Sequence, residues 1–293
     1  MGDEPVVPFL FRRLFDGRLF GRRLRRRWEY TRPFPLPRYT AGTPTICGTG
    51  PYDLFLPPNA ATLGAAVLSQ EAKDAVAAVL AKMTQLDEMV GVQVLYQWSR
   101  EKFGAHWRHA DLLTALWAAA TINPPASYLE IGVRTGRSVA VVGATAPECA
   151  IYGFDLWIPE YGDSPNPGPD FVREELRKVG HTGSVTLVSG DSLETLPAFL
   201  RLHPDLYFDL IAIDGDKSII GAGSDYANAL PRLKVGGIVV TDDIGVEPHL
   251  RRVWETVISR DARYRGWEFG GGRLAGIAAA VRVSDEPVLP SSL

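Results

Sequence analysis

Along the 293 residues the spacing of hydrophobic positions changes character twice. From about 62 to 122 apolar residues recur three and four apart, in the Ala-rich stretch Glu71 to Met83 and again in Leu112, Leu113, Leu116 and Trp117, which predicts helices. Asn123, Pro124 and Pro125 stop that pattern. From Ser127 onward short β-rich runs alternate with helical segments, and the pattern predicts strands at 128–131, 151–155, 185–188, 208–213 and 238–241. Such alternation means a parallel sheet covered by helices on both faces. The runs 264–269 and 274–283 are joined only by Gly270, Gly271, Gly272 and Arg273, too few residues for a crossover helix, so this pair predicts a hairpin and one antiparallel final strand.

The first 60 residues belong to neither pattern. An Arg-rich, Phe/Leu-interleaved stretch (Phe9 to Tyr30) precedes a proline run from Pro33 to Pro58 that cannot sustain a helix. The organisation expected is an extension over 1–60, a helical lead-in over 61–125, a doubly wound α/β domain over 126–283 and a tail over 284–293. The net charge of −3 divides into +4 over residues 1–30, with eight Arg and four acids, and −7 over the rest. An acidic body argues against a nucleic-acid binder, which would spread Lys and Arg over one folded face. Phe11, Leu14, Phe15 and Leu19 could form an apolar stripe opposite the arginines, suited to an anionic membrane surface or a partner; the alternative is a basic arm packed on its own acidic body. The longest apolar stretch, Leu112 to Ala120, is broken by Thr114 and is too short to cross a bilayer. Two cysteines, Cys47 and Cys149, fit a reducing cytoplasm and no zinc or disulfide framework. A homo-oligomer stays open.

Candidate chemistry lies at the strand ends. The first strand runs into Glu130-Ile131-Gly132-Val133-Arg134-Thr135-Gly136-Arg137-Ser138 and then an apolar helix, and glycines there let backbone approach a ligand at a helix N-terminus. The spacing is G-x-x-x-G and lacks the G-x-G-x-x-G of the dinucleotide fingerprint, which argues against a nicotinamide-dependent oxidoreductase. Asp155 closes the second strand, where an acid can accept both hydroxyls of a ribose. Asp191 and Ser192 follow the third, either beside a ligand or as a helix cap.

Taken together, E-x-G-x-x-x-G after strand one, an acid after strand two, G-D-S after strand three, D-L-I-A-I-D in strand four and L-K-V-G-G before strand five resemble a class I S-adenosylmethionine-dependent methyltransferase over about 126–283. The resemblance implies a Rossmann-like seven-stranded sheet with its last strand antiparallel. It also implies Glu130, Gly132 and Gly136 beside the methionine part, Asp155 on the ribose, and Asp191 with Ser192 near the adenine. A fold that binds the nucleoside without turnover is the other outcome it allows.

Strand four ends Asp214-Gly215-Asp216-Lys217 and strand five ends Asp242-Asp243. Neighbouring strand ends lie about 5 Å apart, and carboxylates gathered there repel unless a cation sits between them. Asp214, Asp242 and Asp243 therefore read as oxygen ligands for a hard divalent ion such as Mg²⁺; the alternative for Asp242–Asp243 is a capping pair for the helix expected over 247–258. Lys217, its pKa lowered by such a cation and by partial desolvation, is the candidate general base and Asp214 its partner, with His249 a lesser alternative base. D-x-x-K followed by an acidic pair resembles the catechol and caffeoyl-CoA O-methyltransferases, although those usually carry Asp-Asn where Asp242-Asp243 stands. D-G-D also resembles bacterial methyltransferases of sugars and natural products, in which His commonly occupies the position of Lys217. The function expected is metal-assisted O-methylation of a small hydroxylated acceptor: a sugar, a polyketide or a phenolic. Trp157 and Tyr161, in the long loop 156–169, are candidates to cover the adenine or shape the acceptor pocket.

Overall fold

The structure, a computed structural model, describes residues 58–104, 107–159, 166–270 and 276–285. The Arg-rich stretch, the proline run up to Pro57, Cys47, Tyr161 and the end of the tail lie outside the described residues. In chain order the elements are α1 (Pro58–Val67), α2 (Gln70–Leu80), α3 (Asp87–Phe103), α4 (Leu112–Ile122), β1 (Ser127–Ile131), α5 (Arg137–Thr145), β2 (Ala150–Asp155), α6 (Pro169–Lys178), β3 (Val185–Ser189), α7 (Ser192–Leu202), β4 (Phe208–Ile213), α8 (Ile219–Ala229), β5 (Leu233–Thr241), α9 (Pro248–Trp254), β6 (Tyr264–Phe269) and β7 (Ile277–Arg282). The strands form one sheet in the order β3-β2-β1-β4-β5-β7-β6. All pairs are parallel except those of β7, which runs antiparallel to both β5 and β6, as the short hairpin connection requires.

Strand alternation sorts the core into two layers. Tyr128, Leu210, Ala212, Ile238 and Val240 face α1, α4, α5 and α6, whereas Leu129, Ile131, Ile211, Ile213 and Val239 face α7, α8 and the α9 end with Trp254. All five residues of β1 are buried, since the central strand is covered on both sides. Each fully buried Leu, Ile or Val in it contributes about 1.5–3 kcal/mol.

Two elements differ from the pattern expected. The fifth strand begins at Leu233, not Ile238, because its register shifts opposite β4 between Leu233 and Ile238 around Gly236 at φ +84°. The helix expected over 247–258 is α-helical only to Trp254 and continues as a π-turn, Glu255–Ser259.

The helical lead-in shares the core of the sheet. Leu63 and Val67 of α1 and Ala115, Leu116 and Ala119 of α4 sit in the same apolar layer as the strands. Glu175, buried on α6, accepts from the Thr84 N–H (2.7 Å) and hydroxyl (2.6 Å), tying the turn before α3 to the α/β layer. A second polar knot closes the α3–α4 connection. Asp111, the N-cap of α4, forms a capping box with Thr114 and accepts from the Tyr96 hydroxyl at 2.6 Å, with His109 Nε2 at 3.1 Å.

Candidate active site

β1 leaves the sheet at Ile131 and turns through Gly132 to Gly136 into α5. Gly132 adopts φ +94°, and a Cβ there would lie 2.3 Å from the Asp214 carbonyl oxygen. Only glycine lets the ends of β1 and β4 approach so closely. Bonds from the Asp214 N–H to the Ile131 carbonyl and from the Gly132 N–H to the Phe154 carbonyl, both 2.9 Å, hold the approach. Gly136, at φ +80°, is the N-cap of α5 and directs that helix's positive end at the crevice.

The acids expected beside a cofactor line the carboxyl ends of β1, β2 and β3. Asp155 accepts from the Arg134 N–H at 2.7 Å and the Trp157 N–H at 2.6 Å, so it braces the glycine turn. Glu130 is wholly buried and accepts from the Tyr128 hydroxyl at 2.5 Å and from the Ser138 hydroxyl. Burial pushes its carboxyl up to about 8 against the pull of those two donors. Asp191 caps α7 through the Leu193 N–H at 2.9 Å, and the Ser192 hydroxyl donates to buried Asp225 at 2.7 Å. Trp157 packs against the core layer of α5 and α6.

One strand along, the remaining candidates converge. Ile213 and Thr241 pair across β4 and β5, which puts Asp214 beside Asp242 and Asp243. One carboxylate oxygen from each of the three lies within 4.8 Å of the others. At ordinary metal–oxygen distances of about 2.0–2.6 Å, oxygens so spaced are within reach of one hard divalent ion, so the donor set fits such an ion. Asp242 and Asp243 do not cap α9, because Glu247 holds that position. Asp243 instead adopts φ +61° and donates its N–H to Asp242 Oδ1 at 2.8 Å, a turn that folds both carboxylates toward Asp214. Burial and the mutual charges raise Asp214 and Asp242 above the usual carboxylate range.

Lys217 reaches the same spot, with Nζ 2.5 Å from Asp214 and 3.5 Å from Asp243. Burial alone would lower the ammonium, but the charges of Asp214, Asp243 and Asp242 outweigh it and hold Lys217 well above its ordinary value. Among the described residues, Lys217 is the cation in ion-pair contact with the cluster. His249 Nε2 donates to the Lys217 carbonyl at 2.7 Å and so fastens the loop. Asp216 lies outside the cluster, held by the Ser218 N–H (2.9 Å) and hydroxyl (2.6 Å).

Two residues enter the site that spacing along the chain does not reveal. Glu88 of α3 accepts from the Thr135 hydroxyl inside the glycine turn and pairs with Arg134 and Arg137. Asp225 of α8 joins the start of α7 to the loop after β4, where its Oδ2 abuts Gly215. Their only sequence signal is an acid in a helix, which most surface helices also show.

Residues 129–244 match the family model of a methyltransferase domain. No curated protein matches the chain. Among solved structures, the chain is similar to the calicheamicin methyltransferase CalS11, with 22% identity over 73% of this chain and 92% of that one and a TM-score of 0.47. It is also similar to the O-methyltransferase TomG from Streptomyces achromogenes, involved in tomaymycin synthesis and solved with SAM, with 16% identity, 76% and 95% coverage and a TM-score of 0.47. An O-methyltransferase from Bacillus cereus, solved with SAH, shows 20% identity, 57% and 78% coverage and a TM-score of 0.45. The segment 129–244 thus matches a methyltransferase domain, and the strand order and the glycine turn at the reversal point of the sheet accord with that match.

Proposed function

We propose that the enzyme is a divalent-metal-assisted O-methyltransferase acting on a small hydroxylated acceptor. The observation that carries this reading is the convergence of Asp214, Asp242, Asp243 and Lys217 next to the glycine turn. S-adenosylmethionine supplies an electrophilic methyl group on its sulfonium. Gly132 and Gly136 would pass its methionine part, Asp155 would meet the ribose, and Asp191 with Ser192 would flank the adenine. The Asp155 carboxylate already engages two backbone N–H groups through different oxygens, so it is preorganised and its remaining lone pairs are available to hydroxyls.

Asp214, Asp242 and Asp243 would hold the cation, which supplies Lewis acidity and positioning for the acceptor oxygen. Lys217 can accept the acceptor's proton only where the field of these three carboxylates is neutralised, because that field is what keeps its ammonium charged. In the transfer the oxygen–methyl bond forms as the sulfur–methyl bond breaks, and the hydroxyl proton passes to Lys217. Ile219 and Ile220, 60% and 70% exposed in the first turn of α8 just beyond Lys217, would form an apolar rim. That rim supports a phenolic or polyketide acceptor over a bare sugar.

Calorimetry with S-adenosylhomocysteine and with NADH tests the cofactor: binding of NADH alone would remove the reading. Activity on a catechol panel tests the metal. Asp242→Ala is expected to abolish stimulation by Mg²⁺, and full activity of the unaltered enzyme in excess chelator would take the metal out of the mechanism. Lys217→Arg keeps the charge but cannot accept a proton, so it should lose turnover while retaining S-adenosylhomocysteine binding.

A further inference from the structure

Among the described residues ten large apolar side chains are exposed, and six of them crowd onto one edge of the sheet. Leu156 and Ile158 follow β2, Leu193 lies in the first turn of α7, Ile219 and Ile220 begin α8, and Val246 precedes α9. Three contacts bring these four connections together. The Gly190 N–H donates to the Asp155 carbonyl at 2.9 Å, joining the ends of β2 and β3. The Ser192 hydroxyl donates to Asp225 of α8 at 2.7 Å, and His249 of α9 to the Lys217 carbonyl at 2.7 Å. A gathered apolar patch on a folded body marks an interaction surface.

Acids rim the patch. Asp191, Glu194, Asp216 and Glu247 are exposed in the same connections, and none has a Lys or Arg within ion-pair distance among the described residues. Lys217 is the one basic residue of these segments, and Asp214 and Asp243 engage it. Arg134 and Arg137, in the turn after β1, have side chains only 23% and 22% exposed and pair with Glu88. The surface therefore presents aliphatic groups between uncompensated negative charges. It fits a partner with apolar side chains between positive ones, and it repels an anionic membrane.

The same sequence contains such a partner. Residues 9–30 carry eight Arg against Asp16 and Glu29, a net +6, interleaved with Phe11, Leu14, Phe15 and Leu19. α1 opens at Pro58, so 27 residues, 31–57, connect this stretch to the described body. Fully extended they reach about 90 Å, against about 45 Å across a folded body of this size. Attachment through a linker of this kind gives an effective concentration on the order of 1 mM, so a contact as weak as about 0.1 mM keeps the stretch docked roughly ten to one.

We propose that residues 9–30 dock on the acid-rimmed apolar edge of their own chain, with the Phe and Leu positions on Leu156, Ile219 and Ile220 and the arginines against Glu194, Asp216 and Glu247. The contact does not depend on the methyl-transfer reading. Where that reading holds, the stretch lies across the way in to Asp214 and Lys217, and the stretch and the acceptor exclude each other.

Photocrosslinking on the full chain tests the contact. With Phe15 replaced by p-benzoylphenylalanine, irradiation at about 0.1 M salt is expected to give a cross-linked monomer whose joined peptides contain 156–158, 193–194 or 216–220. At about 1 M salt, where charges act over only about 3 Å, the yield should fall. Glu194→Lys with Glu247→Lys takes the four rim acids from −4 to zero without removing a side-chain hydrogen bond among the described residues. It should lower the docked-to-free ratio about 5–30-fold, with circular dichroism as the check on folding. No cross-link, cross-links to another face, cross-links between chains, or an unchanged yield in the double variant would each overturn the proposal. Vesicles of phosphatidylserine and phosphatidylcholine are expected to leave the yield unchanged. Loss of the internal cross-link as the protein sediments with the vesicles would overturn it too, making a lipid surface the preferred partner of residues 9–30.

Discussion

Replacing Gly132 by alanine isolates the contact on which the site's geometry depends. Two costs add there. The first is backbone strain, since φ +94° is rare for a residue with a side chain and costs about 1–3 kcal/mol. The second is overlap: the new Cβ would stand 2.3 Å from the Asp214 oxygen and 2.6 Å from its carbonyl carbon. Relief requires the Ile131–Gly132 backbone to move about 1 Å away from β4, which breaks or stretches the bonds at Ile131 and Phe154, each worth about 1 kcal/mol net. The sum is about 3–5 kcal/mol. Gly236→Ala is the control, because Gly236 has φ +84° but nothing within 4 Å of a Cβ, so it carries strain alone at about 1–2 kcal/mol. Urea unfolding followed by circular dichroism reads both. With a slope of about 2 kcal/mol per molar, the midpoint should fall by about 1.5–2.5 M for Gly132→Ala and by about 0.5–1 M for Gly236→Ala. Equal shifts in the two variants would mean that β1 and β4 do not meet at Gly132, and the placement of Asp214 beside the glycine turn would fall.

Two further perturbations follow from buried carboxyls. Burial pushes Asp225 up to about 6, against an ordinary value of 3.8, so the native state binds this proton more tightly than the unfolded chain. Stability should therefore be fully present below about pH 4 and decline as pH rises to about 6. Asp225→Asn removes this penalty and is expected to be about 2 kcal/mol more stable than the parent at pH 7.5 and no more stable at pH 4, read by urea unfolding at both. A stabilisation that persists at pH 4 would refute ionisation as its cause. Asp111 is the opposite case: although it is buried, its hydrogen bond and charge contact with His109, then Tyr96 and Thr114, hold it well below the usual carboxylate range. Asp111→Ala removes a helix cap and the hydrogen bonds that Asp111 accepts from the Tyr96 hydroxyl and shares with His109, a loss of about 3 kcal/mol. A loss under 1 kcal/mol in the same assay would show that the knot contributes only capping.

What the sequence determines by itself is the run of elements. β1 to β4 lie within about a residue of their expected bounds, because strands of this length bounded by Gly, Pro and Asp turns leave a local record. The antiparallel last strand is legible for the same reason: a connection of a few residues cannot cross the sheet. The carboxyl-end acids are legible as well, because a strand end is a position in the chain and the topology brings such ends together. The tertiary structure decides what those side chains touch. Glu88 meets Thr135 across 47 residues and Ser192 meets Asp225 across 33, separations with no periodic signature. The charge of Lys217 is also decided there, since it depends on the summed field of acids from two strands, and that field is set by distances in space rather than by spacing along the chain.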